Sequence, residues 1–589
     1  MSNQQIAELF RNVAAAYSIK DERKYYFQII AYQRAADAID NSTTEIKDLF
    51  DQKSLQSLPG VGTSIKSHIE ELLKTGKVSR FKWVFENIPE AVFPLLKIPS
   101  FGPKRAYKLV KTFGLGNPES VVDDLEKIAK ENKISPLTGF GEKSQNDILR
   151  AIKEYKEGKS KQRRMTLPFA AELAKKITDF LIEDPNVLQV SALGSLRRMV
   201  STIGDIDIAV ASNNSEKVIN HFVSYPYKER IIEKGNSSAS ILISGGYQVD
   251  LMVQPVKSFG SLLQHFTGSK DHNIHLRELA IKKGLSLSEK GIKKIKDPKA
   301  GLATYSTEKD FYNALGLDLI PPEMRENTGE IELAAKHKLP RLIELSDIKG
   351  DLHLHSNFSI EPSHDLGQSS MQDMLNKAVK LKYEYLGFSE HNPSVSKHND
   401  NQCYEILKKR DEKIEQIKSN IKSVRIIKLL EVDILASGEL SLSEKSLALL
   451  DGAIVSIHSA FNLNKEQMTE RVLNGLSNPK AKILAHPTGR LINERQGYDL
   501  DWEKIFEFCQ KHNKALEINS WPNRLDLPDN IVRRAVTSGI KLVINTDSHA
   551  AYQMGLMEYG VSVARRGWAK KSDIINTLSY NEFMKWLKN

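Results

Sequence analysis

Short apolar runs interrupted or ended by single acids and histidines set the pattern of this chain. Ile206–Ala211 is apolar apart from Asp207 and predicts a buried strand. Residues 247–253 predict a neighbouring strand that carries Asp250. In the second half, seven apolar runs each end in ligand-type residues: 350–355, 385–391, 427–431, 453–458, 483–486, 515–519 and 542–549. Polar, helix-like stretches such as 371–382 and 503–513 separate most of them. That is β/α repetition and predicts a parallel sheet or barrel. Upstream, residues 5–39 read as helical. Three glycine-bearing segments, 58–62, 98–102 and 137–141, each run into a helix-like stretch. No coiled-coil heptads occur, so a monomer is expected.

Bulk properties narrow this. A chain of 589 residues is too long for one core and predicts three to five domains. The net charge of +10 and the pI near 9.1 favour a polyanionic partner. No apolar run reaches the roughly 20 residues needed to span a bilayer. The stretch from Met1 to Gln5 has no basic segment leading into an apolar one, so export is not expected. Two cysteines, Cys403 and Cys509, make no disulfide framework and fit a reducing cytoplasm.

The candidate chemistry is concentrated in two places. On a strand, residues two apart face the same side, so Asp205 and Asp207 present two carboxylates to one spot. Such a spot suits magnesium with phosphate. Asp250 adds a third carboxylate, and three can hold two metals about 4 Å apart. Upstream lies Gly194-Ser195-Leu196-Arg197-Arg198 and then Gly204. This constellation resembles the palm of family X DNA polymerases, the polymerase beta relatives. The resemblance implies that Gly194, Ser195, Arg198 and Gly204 serve the incoming triphosphate. It implies that Asp205 and Asp207 bind both metals, magnesium or manganese. Asp250 would bind the catalytic metal and help deprotonate the primer 3′-hydroxyl.

The glycine segments carry the helix-hairpin-helix signature. Gly60, Gly62, Gly102, Gly139 and Gly141, with Lys104, would hold the DNA backbone without reading bases. The third copy is the weakest match, and Ser100 replaces one glycine of the second. Residues 5–39 resemble the small domain of family X polymerases that binds a 5′-phosphate at a gap. Where some relatives carry an imine-forming lysine, this chain has His68, which cannot replace an amine. Lys66 lies about 200° around a helix from it. Weak or absent 5′-deoxyribose-phosphate lyase activity is therefore expected. The charged stretch 156–164 reads as a linker, with DNA contact as the alternative.

Residues 258–273 resemble the palm-to-thumb segment. By resemblance, Phe266, Thr267 and Gly268 would pack on the nucleotide sugar, Asn273 would bond the base's minor-groove edge, and Arg277 would touch the template. His265 replaces the usual tyrosine and puts sugar discrimination in doubt. Met252 replaces a frequent arginine and bears on the open-to-closed switch.

The seven C-terminal runs resemble the PHP (polymerase and histidinol phosphatase) domain, a distorted (β/α)7 barrel holding up to three metals at the C-terminal strand ends. The implied ligands are His353, His355, His391, Glu431, His458, His486, Asp547 and His549. Imidazoles mixed with carboxylates suit zinc or manganese. The ninth position holds Ile360, which cannot coordinate; Glu361 or His364 would have to substitute. Glu390 replaces the usual Asp before His391. Two firm metals and a weak third are expected.

The predicted architecture is multidomain. It comprises an α-helical N-terminal gap-binding domain (1–85), helix-hairpin-helix fingers (86–156), an α+β nucleotidyltransferase palm (165–257), a thumb (258–333), a linker (334–349) and the PHP barrel (350–589). The resemblance implies a cytoplasmic repair polymerase that fills short DNA gaps from dNTPs, binds a 5′-phosphate end and trims 3′ ends with a metal-dependent 3′→5′ exonuclease. The alternative is a metal-dependent DNA phosphoesterase whose polymerase core serves as a DNA-end binding module. A non-catalytic end-binding scaffold would not need eight ligands at strand ends.

Overall fold

The computed structural model describes every residue except 2, 41–45, 52–54, 56–60, 99–100, 157–163, 298, 300 and 419–422. The N-terminal region is helical, with its own apolar core around Phe10, Tyr17, Tyr32, Phe81 and Leu109. Helices Thr63–Thr75, Pro103–Phe113 and Glu142–Glu154 each start from an extended glycine N-cap: Gly62, Gly102 and Gly141. None of these caps has a side-chain bond, so first-turn N–H groups have no side-chain acceptor there. Gly60 lies outside the described residues.

The palm is one five-stranded sheet. Its strands are β1 (Gln189–Ala192), β2 (Ile206–Ala211), β3 (Lys228–Lys234), β4 (Ser238–Ile243) and β5 (Tyr247–Gln254), in spatial order β1-β2-β5-β4-β3. Only the β2–β5 pair is parallel. Burial alternates strictly along β5, with Val249, Leu251 and Val253 inward and Asp250 on the other face. Helices Phe259–Thr267 and Lys270–Lys282 follow and open the segment 258–333.

The C-terminal half is a ring of short parallel strands. They are β6 (Gly350–Asp351), β7 (Tyr385–Phe388), β8 (Arg425–Lys428), β9 (Glu431–Asp433), β10 (Ala453–Ser456), β11 (Ala481–Leu484), β12 (Ala515–Asn519) and β13 (Lys541–Asn545). They form two sheets, β6-β7-β8 and β9 through β13. Single bridges His391↔Glu431 and Leu354↔Ser548 link the two sheets. The third apolar run is therefore not one strand but two, split at Leu429-Leu430. Leu429 N–H bonds both Phe388 and Ile427, which tightens the chain and ends the ladder. The buried Arg410 guanidinium takes up the carbonyls of Phe388 and Leu429 at 2.8 Å each. Palm and barrel share one continuous apolar core that runs from Met165 and Val253 to Leu354 and Ile544. No helix among the described residues is long and apolar enough to cross a membrane.

Candidate functional site

In the palm, strand register sets the acids. Asp207 on β2 is the direct partner of Asp250 on β5. Asp205 immediately precedes β2, and both neighbouring carboxylates act on Asp207. Burial first, then Asp205 and Asp250, push the Asp207 carboxyl up to about 7. A carboxyl raised by two neighbouring carboxylates marks a site prepared for cations. Asp250 is held from behind by Gln248 Nε2 at 2.9 and 3.0 Å and by the Ser240 hydroxyl.

The turn before β2 must be glycine for two reasons. Gly194 has φ +56°, and a Cβ there would sit 2.3 Å from Asp207 Oδ2. Ser195 lies in the short helix Gly194–Arg197. Arg198 Nε donates to Glu326 Oε1 (2.9 Å) and Nη1 to the Thr267 carbonyl (2.9 Å). Arg197 donates to Thr267 Oγ1 (2.6 Å) and pairs with Glu308, which also holds the fully buried Arg325. Gly204 abuts Arg164, whose Nη1 would stand 3.2 Å from a Cβ. Asn273 Nδ2 donates to the His265 carbonyl (2.7 Å) and its Oδ1 accepts from Gln264 (3.0 Å). A Cβ on Gly268 would meet Asn273 Oδ1 at 2.7 Å, so the two are in close contact. Phe266 packs beside His265, whose ring burial and Arg277 keep on the neutral side. Arg277 is exposed. Lys104 is ion-paired with Glu22 at 2.6 Å, so a phosphate there competes with an acid. His68 is not a free base: its Nδ1 lies 2.8 Å from the Tyr32 hydroxyl.

The eight histidines and acids of the barrel converge. Glu431 is the hub, with Oε2 3.2 Å from His353 Nε2, 3.5 Å from His355 Nε2 and 2.9 Å from His391 Nδ1. Its Oε1 lies 3.3 Å from His458 Nε2 and 2.9 Å from His486 Nε2. Asp547 Oδ1 stands 3.1 Å from His355 Nε2 and 3.5 Å from His353 Nε2. His355, His391 and His549 bring one nitrogen each within 4.8 Å of one another. Close as some of them lie to one another, His353 Nε2, both nitrogens of His355, His391 Nδ1, Glu431 Oε2, His486 Nδ1 and His549 Nε2 are buried and none makes a well-directed hydrogen bond. Buried polar atoms are ordinarily paired, so this set of orphaned nitrogens and oxygens fits divalent metal. Histidine with carboxylate suits zinc or manganese better than magnesium.

Ile360 is fully buried in the apolar core and offers no ligand. Neither proposed substitute joins the three-imidazole group. Glu361 pairs with His398 at 3.1 Å, and His364 Nε2 sits 3.3 Å from Asp433 Oδ1. Glu390 accepts from Ser356 and Arg410 instead of facing the ligands.

Sequence reasoning missed two acids behind the ligands. Glu517 Oε1 lies 2.7 Å from His353 Nδ1, and its Oε2 accepts from His486 N–H at 2.8 Å. Asp433 Oδ1 lies 2.7 Å from His458 Nδ1. Each fixes a ring so that Nε2 is free for a metal. Their signal was alternation: Glu517 is the acid within the sixth run, and Asp433 follows Glu431 by two.

The DNA polymerase beta thumb family matches residues 262–326, a helix-hairpin-helix domain family residues 1–78 and the PHP domain family residues 351–521. The chain is 34% identical over 590 residues to the DNA polymerase/3′-5′ exonuclease PolX of Bacillus subtilis, covering 100% of both chains. It is 26% identical over 237 residues to a probable phosphatase of Thermoanaerobacter sp., 38% of this chain and 89% of that one. Over 356 residues it is 24% identical to DNA polymerase lambda of Arabidopsis thaliana, 55% of this chain and 62% of that one. One relative thus carries both halves in the same order, while the others match one half each, and the chain belongs to the PolX family of DNA polymerases with a C-terminal PHP domain.

Proposed function

We propose that the chain fills short gaps in DNA by nucleotidyl transfer at Asp205, Asp207 and Asp250, and degrades 3′ ends at the barrel cluster. The observation that carries the first half is the Asp207–Asp250 register beside the Gly194 turn. For the second half it is the set of orphaned ligand atoms around Glu431. Divalent cations, magnesium or manganese in the palm and two firmly held manganese or zinc ions with a weaker third in the barrel, would supply the Lewis acidity that clamps attacking and leaving oxygens. Asp205 and Asp207 would hold both palm cations, and Asp250 would hold the catalytic one and help take the proton of the primer 3′-hydroxyl. Ser195 and Arg198 grip the dNTP triphosphate. Phe266, Thr267, Gly268 and Asn273 seat the sugar and base, and Arg277 lies along the template. In the barrel, His353, His355, Glu431 and Asp547 would hold one ion, Glu431, His458 and His486 a second, and His391 with His549 the weak third. The glycine-capped helices at Gly62, Gly102 and Gly141 present N–H groups to the DNA backbone. The enzyme acts as a monomer of six segments, 1–85, 86–156, 165–257, 258–333, 334–349 and 350–589, with 5′-phosphate binding in residues 1–85.

Two single changes test this on a one-nucleotide gap. Asp205→Ala removes primer extension and leaves manganese-dependent 3′→5′ degradation. His353→Ala does the reverse. Degradation that survives His353→Ala unchanged would place the nuclease elsewhere.

A further inference from the structure

The barrel reaches into the nucleotide site through one side chain. Helix Met557–Arg566 follows the segment that carries Asp547 and His549. It presses directly on the barrel: a Cβ on Gly560 would lie 2.1 Å from Ser520 Oγ and 2.5 Å from Ile544. Its last residue, Arg566, has a side chain only 8% exposed and makes contacts to three chain segments. Nη1 donates to the carbonyl of Arg198 (2.9 Å) and to Glu326 Oε1 (2.9 Å). Nε and Nη2 both meet Asp529 Oδ2 at 2.7 Å. The same Glu326 oxygen accepts from Arg198 Nε at 2.9 Å. Next to it, Arg565 pairs with Glu323 of the thumb (2.7 Å) and donates to the Ile343 carbonyl (2.8 Å).

Arg198 is thus clamped at both ends by one residue of the other domain. Its carbonyl, at the C-terminal end of the Gly194–Arg197 turn, accepts from Arg566 directly. Its guanidinium is aimed through Glu326, which Arg566 also holds. A guanidinium fits this role because its planar fork reaches acceptors on three segments from separate nitrogens; an ammonium offers its three donors from a single nitrogen. We propose that Arg566 is a positioning residue for nucleotidyl transfer, so that the PHP barrel forms a structural wall of the polymerase nucleotide site. The inference rests on the proposed triphosphate role of Arg198.

The test uses the full-length enzyme, steady-state extension of a one-nucleotide gap, and manganese-dependent degradation of the same strand. Arg566→Ala should raise the KM for dNTP about tenfold, the scale of one lost buried bond to a charged group, with kcat changed far less. Arg566→Lys should recover only part of the loss. Degradation should stay near the parent value in both. Asp529→Asn, which keeps Arg566 but loosens it, should give a smaller rise in KM and serves if Arg566→Ala folds poorly. A KM within twofold of the parent for Arg566→Ala, or for Asp529→Asn when the first variant is not folded, overturns the proposal. So does a parallel loss of degradation, which marks general damage. Arg198→Ala separates the two ideas. If it leaves KM unchanged, the triphosphate role of Arg198 fails and takes this inference with it. If it raises KM and Arg566→Ala does not, only the positioning role fails.

Discussion

Glu517→Gln tests how much of the nuclease centre depends on the residues behind its ligands. Glu517 is fully buried and surrounded by donors. His353 Nδ1 stands 2.7 Å from Oε1, and Asn545 Nδ2 2.9 Å from the same oxygen. On the other side, His486 N–H and Asn519 Nδ2 donate to Oε2 at 2.8 and 3.1 Å. A glutamine keeps the shape but turns one of these oxygens into an NH2 that faces two donors. If the amide nitrogen points at His353, the ring must accept at Nδ1 and carry its proton on Nε2, where the metal should bind. If it points at His486, the strand-end backbone loses its acceptor and the ring shifts. Either outcome removes a charge-assisted bond, worth about 1.5–3 kcal/mol. The measured cost of losing such an orienting partner in metalloproteins is about 10–100-fold in metal affinity, or roughly 1.4–2.7 kcal/mol. The two ranges agree. The assay is a manganese titration of 3′→5′ degradation on a labelled strand, paired with calorimetric binding of manganese to the metal-free protein. The expected result is a rise of at least about tenfold in the half-saturating manganese concentration, with primer extension unchanged. A half-saturating concentration within twofold of the parent would refute the reasoning.

Three further outcomes follow from the same geometry. Gly194→Ala should sharply lower primer extension and spare degradation, because a methyl group there meets the Asp207 carboxylate and the turn needs φ +56°; wild-type extension kinetics would contradict this. Below pH about 7 a cation must displace the proton on Asp207, so the magnesium needed for half-maximal extension should climb as pH falls from 8 to 6. With that pKa raised above its unfolded value, the metal-free fold should also lose stability as pH rises from about 4 to about 7, which thermal melts in chelator would report. Borohydride trapping on a 5′-deoxyribose-phosphate end should capture little or no protein through residues 1–85, since His68 is bonded to Tyr32 and has no amine to offer; efficient covalent capture there would reverse that.

Local patterns made the acids and imidazoles legible. An acid inside an apolar strand, as at Asp207 and Asp250, announces itself because its neighbours in sequence are apolar. The histidines at the ends of five of the seven runs did so by repetition. What escaped was pairing between distant segments. Nothing near Glu517 in sequence indicates that it backs His353, a partner 164 positions away. The break at Leu429-Leu430 was hidden because Arg410, which takes up the Leu429 carbonyl there, lies on a separate helix. The Arg566–Arg198 clamp spans 368 positions and joins two halves that each look self-sufficient. Gly60, the first hairpin glycine, lies outside the described residues, so only its partner Gly62 has a described position.

The bridge between Leu354 and Ser548 ties the first stave of the barrel to the last, and both carry ligands beside it. A nascent chain can therefore pair β2 with β5 and gather the palm acids early, from a compact stretch, whereas no nuclease centre exists until the final strand has emerged and docked. During synthesis the palm acids come together before any nuclease centre exists, and any truncation before His549 leaves a ribbon of staves with an open seam and without the Arg566 clamp on Arg198.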